Sequence, residues 1–153
     1  VFPTSEFLEE NGTLAIGSDS HISVNAIEEI RWLEYAQRLV RQQRAVLATT
    51  ETPSVGLNLW QRAAKGGAQS TATNTGELAV GKQADLIVLD DVTMGLYAND
   101  ESHLLDSMIF ATSRNPVRDV MVYGHWQVKE GKHLKEQDAE VAFANLLKEK
   151  QSN

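Results

Sequence analysis

The chain has 153 residues, of which 42% are hydrophobic and 23% charged, as in a globular protein of one domain or part of a larger one. No apolar run approaches the roughly 18 to 20 residues that a membrane span needs. A net charge of −7 with dispersed basic residues argues against nucleic acid as a partner. The lack of cysteine excludes disulfides and thiolate metal ligands and, with no signal peptide visible, predicts a cytoplasmic protein. The start at Val1 predicts a chain that begins inside a longer protein.

The first residues predict a short helix and then a buried strand. The helix covers Thr4 to Glu10 and ends at the Asn11-Gly12 pair. The strand covers Thr13 to Gly17, a brief apolar run bounded by turn residues, as in a parallel sheet buried on both faces. Four polar residues follow its carboxyl end, where barrel and other α/β enzymes place catalytic groups: Ser18, Asp19, Ser20 and His21.

These four residues have two interpretations. Ser18, Asp19 and Ser20 could simply cap the start of the next helix with their side-chain oxygens. Alternatively, Asp19 could bind a metal or take part in catalysis. His21 could be a metal ligand, a substrate contact or a hydrogen-bonded loop residue.

Two longer helices are predicted next. In the first, Asn25 and Glu28 resemble a capping box, and a helical stripe is formed by Ile27, Ile30, Leu33, Ala36, Leu39 and Val40, flanked by Trp32 and Tyr35. The second begins with Thr52 as N-cap and Pro53 at the first helical position, and it ends at Gly66-Gly67.

The composition changes near Ala68, which predicts a domain boundary there. An apolar strand is predicted within Gly81 to Asp90, and a helix over His103 to Ala111. Strand-like runs at Val117 to Tyr123 and Trp126 to Val128 predict a hairpin joined at Gly124-His125. A final helix carries Ala139, Ala142, Phe143, Leu146 and Leu147.

The chain does not contain the residues for a complete zinc site. Such a site takes three or four protein ligands, and neither HxH nor HExxH occurs. The other histidines, His103, His125 and His133, have no ligand-pair spacing. Most of any metal site must therefore lie outside this chain. No phosphate-binding glycine motif supports nucleotide binding either.

Three stretches resemble the amidohydrolase superfamily. Gly17-Ser18-Asp19 is similar to its eighth barrel strand with the metal-binding aspartate. Residues 76–90, GELAVGKQADLIVLD, are similar to the segment that leaves the barrel, and residues 120–126 are similar to a later hairpin strand. The resemblance implies the last β/α unit of a (β/α)8 barrel (residues 1–68), part of a small composite β-sandwich with an intervening helix (69–135), and a C-terminal helix and tail (136–153).

Within the superfamily, GSDSH, the stretch VNAIEEIRWLEYAQRLVRQQR at 24–44 and the opening FPTSEFLEENG resemble the formimidoylglutamate deiminases. That resemblance implies hydrolysis of N-formimidoyl-L-glutamate to N-formyl-L-glutamate and ammonia in histidine degradation, with one zinc ion. Asp19 would bind the zinc and accept and return a proton. Ser18, Ser20 and His21 would be substrate-binding or supporting neighbours.

The implied partners are a small-molecule substrate, the missing N-terminal part of the enzyme and further copies in a homo-oligomer, but neither nucleic acid nor membrane. The chain alone is expected to hold no zinc and to be inactive. Two alternatives stay open: another amidohydrolase, such as a guanine or other aminohydrolase, or a non-catalytic domain whose exposed apolar faces form an oligomer interface.

Overall fold

The computed structural model describes residues 1–20, 22–90 and 101–151. The chain divides into two compact units. The first combines Val1–Gln83 with Asp90–Pro116, and the second combines Ala84–Leu89 with Val117–Asn153. The predicted domain limits at 68 and 135 stay a prediction.

The first unit is helical. Helix α1 is Thr4–Glu9, α2 is Ala26–Arg41 and α3 is Val55–Ser70. The predicted helices α1 and α2 are confirmed, and α1 ends one residue earlier than predicted. The buried apolar side chains of this unit form its core: Leu14, Ile27, Ile30, Leu47, Val55, Leu59, Met108 and Ile109.

The buried face of α2 differs from the predicted stripe. Ile27 and Ile30 are buried as predicted, but the same face continues with Glu34 and Gln37. Three members of the predicted apolar set, Trp32, Leu39 and Val40, are exposed. The two polar residues can be buried because each is hydrogen-bonded to distant parts of the chain.

Helix α3 starts and ends later than predicted. Its N-cap is Ser54, whose hydroxyl oxygen accepts a hydrogen bond from the backbone N–H of Leu57 at 3.1 Å. The predicted cap, Thr52, lies before the helix. Gly66-Gly67 does not end the helix, which continues to Ser70. A tertiary contact of Gly66, described below, explains a glycine inside the helix.

The predicted strand over Thr13 to Gly17 is not formed. These residues run as irregular chain in the structure. A strand needs a neighbour for its backbone hydrogen bonds, and the one sheet in the described part of the chain is formed by segments between Leu86 and His133.

The predicted helix at His103 to Ala111 is confirmed as helical backbone of three kinds. A 3₁₀ turn at Glu101–His103 leads into the short α4, Leu104–Asp106, and then into a π-helical turn at Ser107–Ala111. Its side chains Met108 and Ile109 are fully buried.

The second unit contains a four-stranded antiparallel sheet in the order β1-β2-β3-β4. Strand β1 is Leu86–Leu89, β2 is Val117–Val122, β3 is His125–Lys129 and β4 is Lys132–His133. The predicted strand and hairpin are confirmed. The hairpin turn is Tyr123-Gly124, one residue earlier than predicted, and both residues have the positive φ that two-residue hairpin turns favour.

A second tight turn at Glu130-Gly131, again with positive φ at both residues, joins β3 to the unpredicted β4. Helix α5, Glu136–Gln151, closes the described chain and confirms the predicted final helix. No helix in ranges 1–20, 22–90 and 101–151 has the length and apolar character to cross a membrane.

Candidate active site

The chain segment that leads to Asp19 is fixed to α3 at one point. The Leu14 side chain is buried, and its backbone lies against Gly66. A Cβ atom added at Gly66 would stand 1.8 Å from the carbonyl oxygen of Leu14, which is far inside van der Waals contact. Only glycine fits at this position without a movement of the backbone, so Gly66 sets how closely this segment approaches α3.

Five residues after Leu14, Asp19 and Ser20 form an exposed bend, and Ser18 before them is half-buried. The carboxylate of Asp19 is therefore accessible from outside the chain. His21 lies outside the described residues.

The helix-capping interpretation of these residues is not supported. Helix α2 has Asn25 as its N-cap, and the Asn25 side-chain oxygen accepts hydrogen bonds from the backbone N–H groups of Ile27 at 2.9 Å and Glu28 at 3.4 Å. These two bonds occupy the cap of α2. Ser18, Asp19 and Ser20 precede it by several residues and take no part in it.

The described residues do not form a zinc site. Nowhere in ranges 1–20, 22–90 and 101–151 do three His, Cys, Asp or Glu side chains come together as a metal site would require. Two of the three described histidines have other neighbours. His103 Nδ1 lies 3.6 Å from Asp106, and His133 Nδ1 accepts a hydrogen bond from the backbone N–H of Lys135. Asp19 can thus supply one ligand of a metal site, and this chain's described residues do not complete it.

A buried carboxylate that the sequence analysis missed holds the loop after α2. Glu34 is fully buried, and its two oxygens accept hydrogen bonds from the backbone N–H groups of Val46 and Leu47 and from Nε of Arg38. The Glu34–Arg38 spacing of four residues was visible in the sequence, but it is equally typical of an exposed helix pair. The loop contacts were not visible.

Three further hydrogen bonds tie α2 and α3 to residues 101–112. Arg31 of α2 donates from Nε to the carbonyl oxygen of Ile109 at 2.5 Å and from Nη2 to that of Thr112 at 3.1 Å. Asp106 accepts a hydrogen bond from the backbone N–H of Gly56 at 2.6 Å, in the first turn of α3. Such contacts fix the scaffold that carries the Asp19 segment.

Two cavities in the first unit are separate from the Asp19 bend. One, of about 130 Å³, lies between α1, the loop after α2 and α3, and its lining includes Leu8, Leu47 and Arg62. The other is an open groove of about 470 Å³ at the end of α3, lined by residues that include Lys65 and Lys82. The predicted site residues that the structure describes, Ser18, Asp19 and Ser20, line neither one.

Similar proteins of known structure are amidohydrolases. An amidohydrolase from Brucella melitensis superposes with a TM-score of 0.83 at 36% identity, over 97% of this chain and 32% of that chain. An adenosine deaminase from Xanthomonas campestris, solved with bound zinc, superposes with a TM-score of 0.73 at 23% identity, over 97% of this chain and 33% of that one. The second likeness concerns the fold alone.

Among curated proteins, the formimidoylglutamate deiminase of Pseudomonas aeruginosa is 44% identical over 149 residues, which is 97% of this chain and 33% of the relative. The chain therefore spans about a third of the length of that enzyme. The model of the amidohydrolase family matches residues 2–127. The chain thus belongs to the amidohydrolase family, as residues 76–90 and the Gly17-Ser18-Asp19 stretch predicted.

Proposed function

We propose that this chain is the C-terminal part of a zinc-dependent enzyme that hydrolyses N-formimidoyl-L-glutamate to N-formyl-L-glutamate and ammonia. The observation that carries the proposal is the 44% identity to formimidoylglutamate deiminase along 97% of the chain. The activity belongs to the whole enzyme, because about two thirds of that relative have no counterpart here. A cytoplasmic location and a role in histidine degradation are parts of the same proposal.

The proposed architecture follows the resemblance. Residues 1–68 form the end of a (β/α)8 barrel, residues 69–135 form part of a composite β-sandwich, and residues 136–153 form the C-terminal helix and tail. In the whole enzyme, residues 13–17 have strand neighbours and become the last barrel strand. The close approach of the Leu14 backbone to Gly66 of α3 supports this, because the strands of such a barrel pack directly against the helices that surround them.

Asp19 is the proposed catalytic residue of this chain. Hydrolysis adds water to the formimidoyl carbon and expels the imino nitrogen as ammonia, so both protons of the water end on that nitrogen: one moves when the water attacks, and the other when the new hydroxyl becomes the carbonyl and the carbon–nitrogen bond breaks. A carboxylate can accept each proton in turn and donate it to the nitrogen. The exposed position of Asp19 supports this role because its oxygens are accessible to groups supplied from outside the chain.

Asp19 is also proposed as one ligand of the zinc ion. Its other ligands are proposed to come from the part of the enzyme outside this chain, because the described residues bring no three candidate ligands together. Ser18, Ser20 and His21 are proposed neighbours of the substrate, on the basis of their position in the chain next to Asp19.

The proposal is tested in a full-length enzyme that contains this sequence. Asp19→Ala should lower kcat by roughly 10²- to 10⁴-fold, the usual contribution of a general acid–base group, and should reduce the zinc content. Asp19→Asn keeps one oxygen for the metal but cannot carry the proton, so it should retain more zinc than the alanine variant and be equally slow. Glu51→Gln, at an exposed carboxylate in the loop before α3, is the control. Near-normal turnover of Asp19→Ala would overturn the assignment.

The substrate is tested separately with the unaltered full-length enzyme. Release of ammonia from N-formimidoyl-L-glutamate is compared with its release from guanine and adenosine. Faster turnover of a purine would identify another aminohydrolase of the same family. Activity on none of these compounds, in an enzyme that contains zinc, would favour a non-catalytic role.

A further inference from the structure

Asn11 and Gly12 close the C-terminal end of α1 through backbone hydrogen bonds. The N–H group of Gly12 donates to the carbonyl oxygen of Phe7 at 2.8 Å, and that of Asn11 donates to the carbonyl oxygen of Leu8 at 3.1 Å. Asn11 has a φ of 62°, which lies in the left-handed region. This combination is the Schellman motif, in which the residue after the helix cap adopts the left-handed conformation.

Both residue types are needed for this turn. After glycine, asparagine is among the few residues that adopt the left-handed conformation readily. A Cβ atom on Gly12 would stand 2.5 Å from two ring atoms and from the carbonyl oxygen of Phe7, so only glycine fits without a movement of the backbone. The geometry of the turn therefore places an asparagine directly before a glycine.

An asparagine directly before a glycine is chemically labile. The glycine backbone nitrogen attacks the side-chain carbonyl carbon of the asparagine, its N–H proton ends on the departing nitrogen, and ammonia leaves as a succinimide ring closes. Water then opens the ring at one of its two carbonyl carbons and leaves aspartate or isoaspartate, so the sum is hydrolysis of one amide. Because glycine has no Cβ atom, the main steric obstacle to ring closure is absent. Asn11 is the only asparagine of the 153 residues that precedes a glycine.

The fold blocks the first step of this reaction. While the N–H group of Gly12 is bonded to Phe7, its nitrogen cannot give up the proton and turn toward the Asn11 side chain. The chain just before α1 is held on α2, where the buried Gln37 donates to the carbonyl oxygen of Phe2 at 2.8 Å. Ring closure therefore requires that the end of α1 opens first. The rate of deamidation is then the fraction of open molecules multiplied by the rate in an unfolded chain.

We propose that Asn11 is a deamidation site that the fold keeps closed, so that its modification marks molecules in which the end of α1 has opened. The exposed position of Asn11 gives water access to the succinimide. Isoaspartate adds one atom to the backbone between Asn11 and Gly12, so the two hydrogen bonds of the motif cannot both form again. The change lies directly before the segment that contacts Gly66 and leads to Asp19.

The proposal is tested by mass spectrometry on a full-length enzyme that contains this sequence, kept either native or unfolded in urea. The peptide that contains Asn11 is followed over time, and its aspartate and isoaspartate forms are separated by chromatography. Deamidation should be at least about tenfold slower in the native enzyme. Hydrogen exchange at the Gly12 amide should be slowed by a similar factor, because both reactions need the same opening. Asn11→Gly is the control, since it keeps the left-handed turn and has no side-chain amide to lose.

Gly12→Ala opens the motif directly, because its Cβ atom displaces the chain from Phe7. Alanine also slows ring closure itself, so the ratio of the native rate to the unfolded rate is the readout, and this ratio should rise toward one. Hydrogen exchange of the unaltered enzyme gives a second test that does not depend on how well this variant folds.

Deamidation at equal rates in the native and the unfolded enzyme would overturn the proposal, because the motif would then not protect Asn11. An enzyme that shows no deamidation in urea would lack a reactive site. A ratio for Gly12→Ala equal to that of the unaltered enzyme, or fast deamidation while the Gly12 amide is protected from exchange, would also contradict the proposed opening. None of these measurements depends on catalytic activity, so their failure is distinct from a failure of the proposed function.

Discussion

Gly66 and Leu14 approach each other so closely that a Cβ atom on Gly66 would lie 1.8 Å from the Leu14 carbonyl oxygen. The neighbouring Gly67, in the same helix, has no atom within 4 Å of the corresponding position. Two adjacent glycines of α3 therefore have different roles. The first permits the contact between α3 and the segment that carries Asp19, and the second only weakens the helix.

Gly66→Ala should lower the free energy of unfolding by about 1–3 kcal/mol, the usual cost of forcing extra volume into a close contact. Gly67→Ala should raise it by roughly 0.5–1 kcal/mol, because alanine is the better helix former and the space is open. Urea denaturation of the two variants and the unaltered chain measures both changes. Equal changes in the free energy of unfolding for the two substitutions would contradict the close contact between Gly66 and Leu14.

The buried Glu34 carboxylate should be a second determinant of stability. Glu34→Ala leaves the backbone N–H groups of Val46 and Leu47 without their acceptor, which should cost about 1–3 kcal/mol for each group that stays unsatisfied. Arg38→Ala should cost less, since the Arg38 side chain is 32% exposed and water can replace it at the carboxylate. Thermal denaturation compares the two. If Arg38→Ala lowered the melting temperature more than Glu34→Ala, the ion pair with Arg38, and not the hydrogen bonds to the loop, would be the main contribution of Glu34 to stability.

Elements whose signals lie within their own residues were predictable from the sequence. Helix α2 has its cap, its apolar spacing and its terminal charges in one segment, and the hairpin of β2 and β3 has a Gly-containing turn between two apolar runs. The start of α2 and the hairpin turn were each predicted within one residue. The start of α3 was misplaced although its signal is local, because Ser54 caps the helix two residues after the predicted Thr52. Its end was missed because a Gly-Gly pair is typical of a helix end, whereas Gly66 here permits the contact with Leu14.

The same distinction applies to the site. Asp19 could be selected because GSDSH and residues 76–90, which carry the family resemblance, are each continuous in sequence. The burial of Glu34 was not predictable, since its partners Val46 and Leu47 are in a loop without a recognisable pattern. The prediction of a strand at residues 13–17 was wrong for a third reason. Its apolar pattern is suited to a sheet, but a strand also needs neighbouring strands.

Asp119 of β2 makes the second unit sensitive to acid. Its side chain is only 4% exposed and accepts hydrogen bonds from the backbone N–H of Glu130 at 2.8 Å and from Arg118. The Glu130 N–H bond is the largest cause holding the pKa of Asp119 below 3.8. Burial opposes it, and Arg118 and Lys129 lower the pKa further. The carboxylate therefore joins β2 to the turn between β3 and β4 in its charged form.

Because the folded pKa lies below the unfolded value of 3.8, the stabilisation by Asp119 is complete above that value and is lost as the pH falls through the folded pKa. Asp119→Asn should thus be less stable than the unaltered chain at neutral pH, and the difference should shrink below pH 3.8. Urea denaturation at several pH values, followed by Trp126 fluorescence with Trp32 and Trp60 replaced by Phe, measures this difference. Glu51→Gln, at an exposed carboxylate, is the control. A stability difference between Asp119→Asn and the unaltered chain that grows as the pH falls would contradict the lowered pKa of Asp119.

The dependence of the site on residues outside this chain gives the last prediction. With Asp19 as the one proposed ligand from this chain, the purified chain should contain no stoichiometric zinc, and added zinc should not raise its melting temperature. It should release no ammonia from N-formimidoyl-L-glutamate. A full-length enzyme containing the same sequence should hold about one zinc per chain and should lose activity on treatment with a chelator. Metal analysis and a calorimetric scan with and without zinc make the comparison. Stoichiometric zinc in the 153-residue chain, abolished by Asp19→Ala, would mean that the chain contains its own ligand set and that the site extends beyond the residues proposed here.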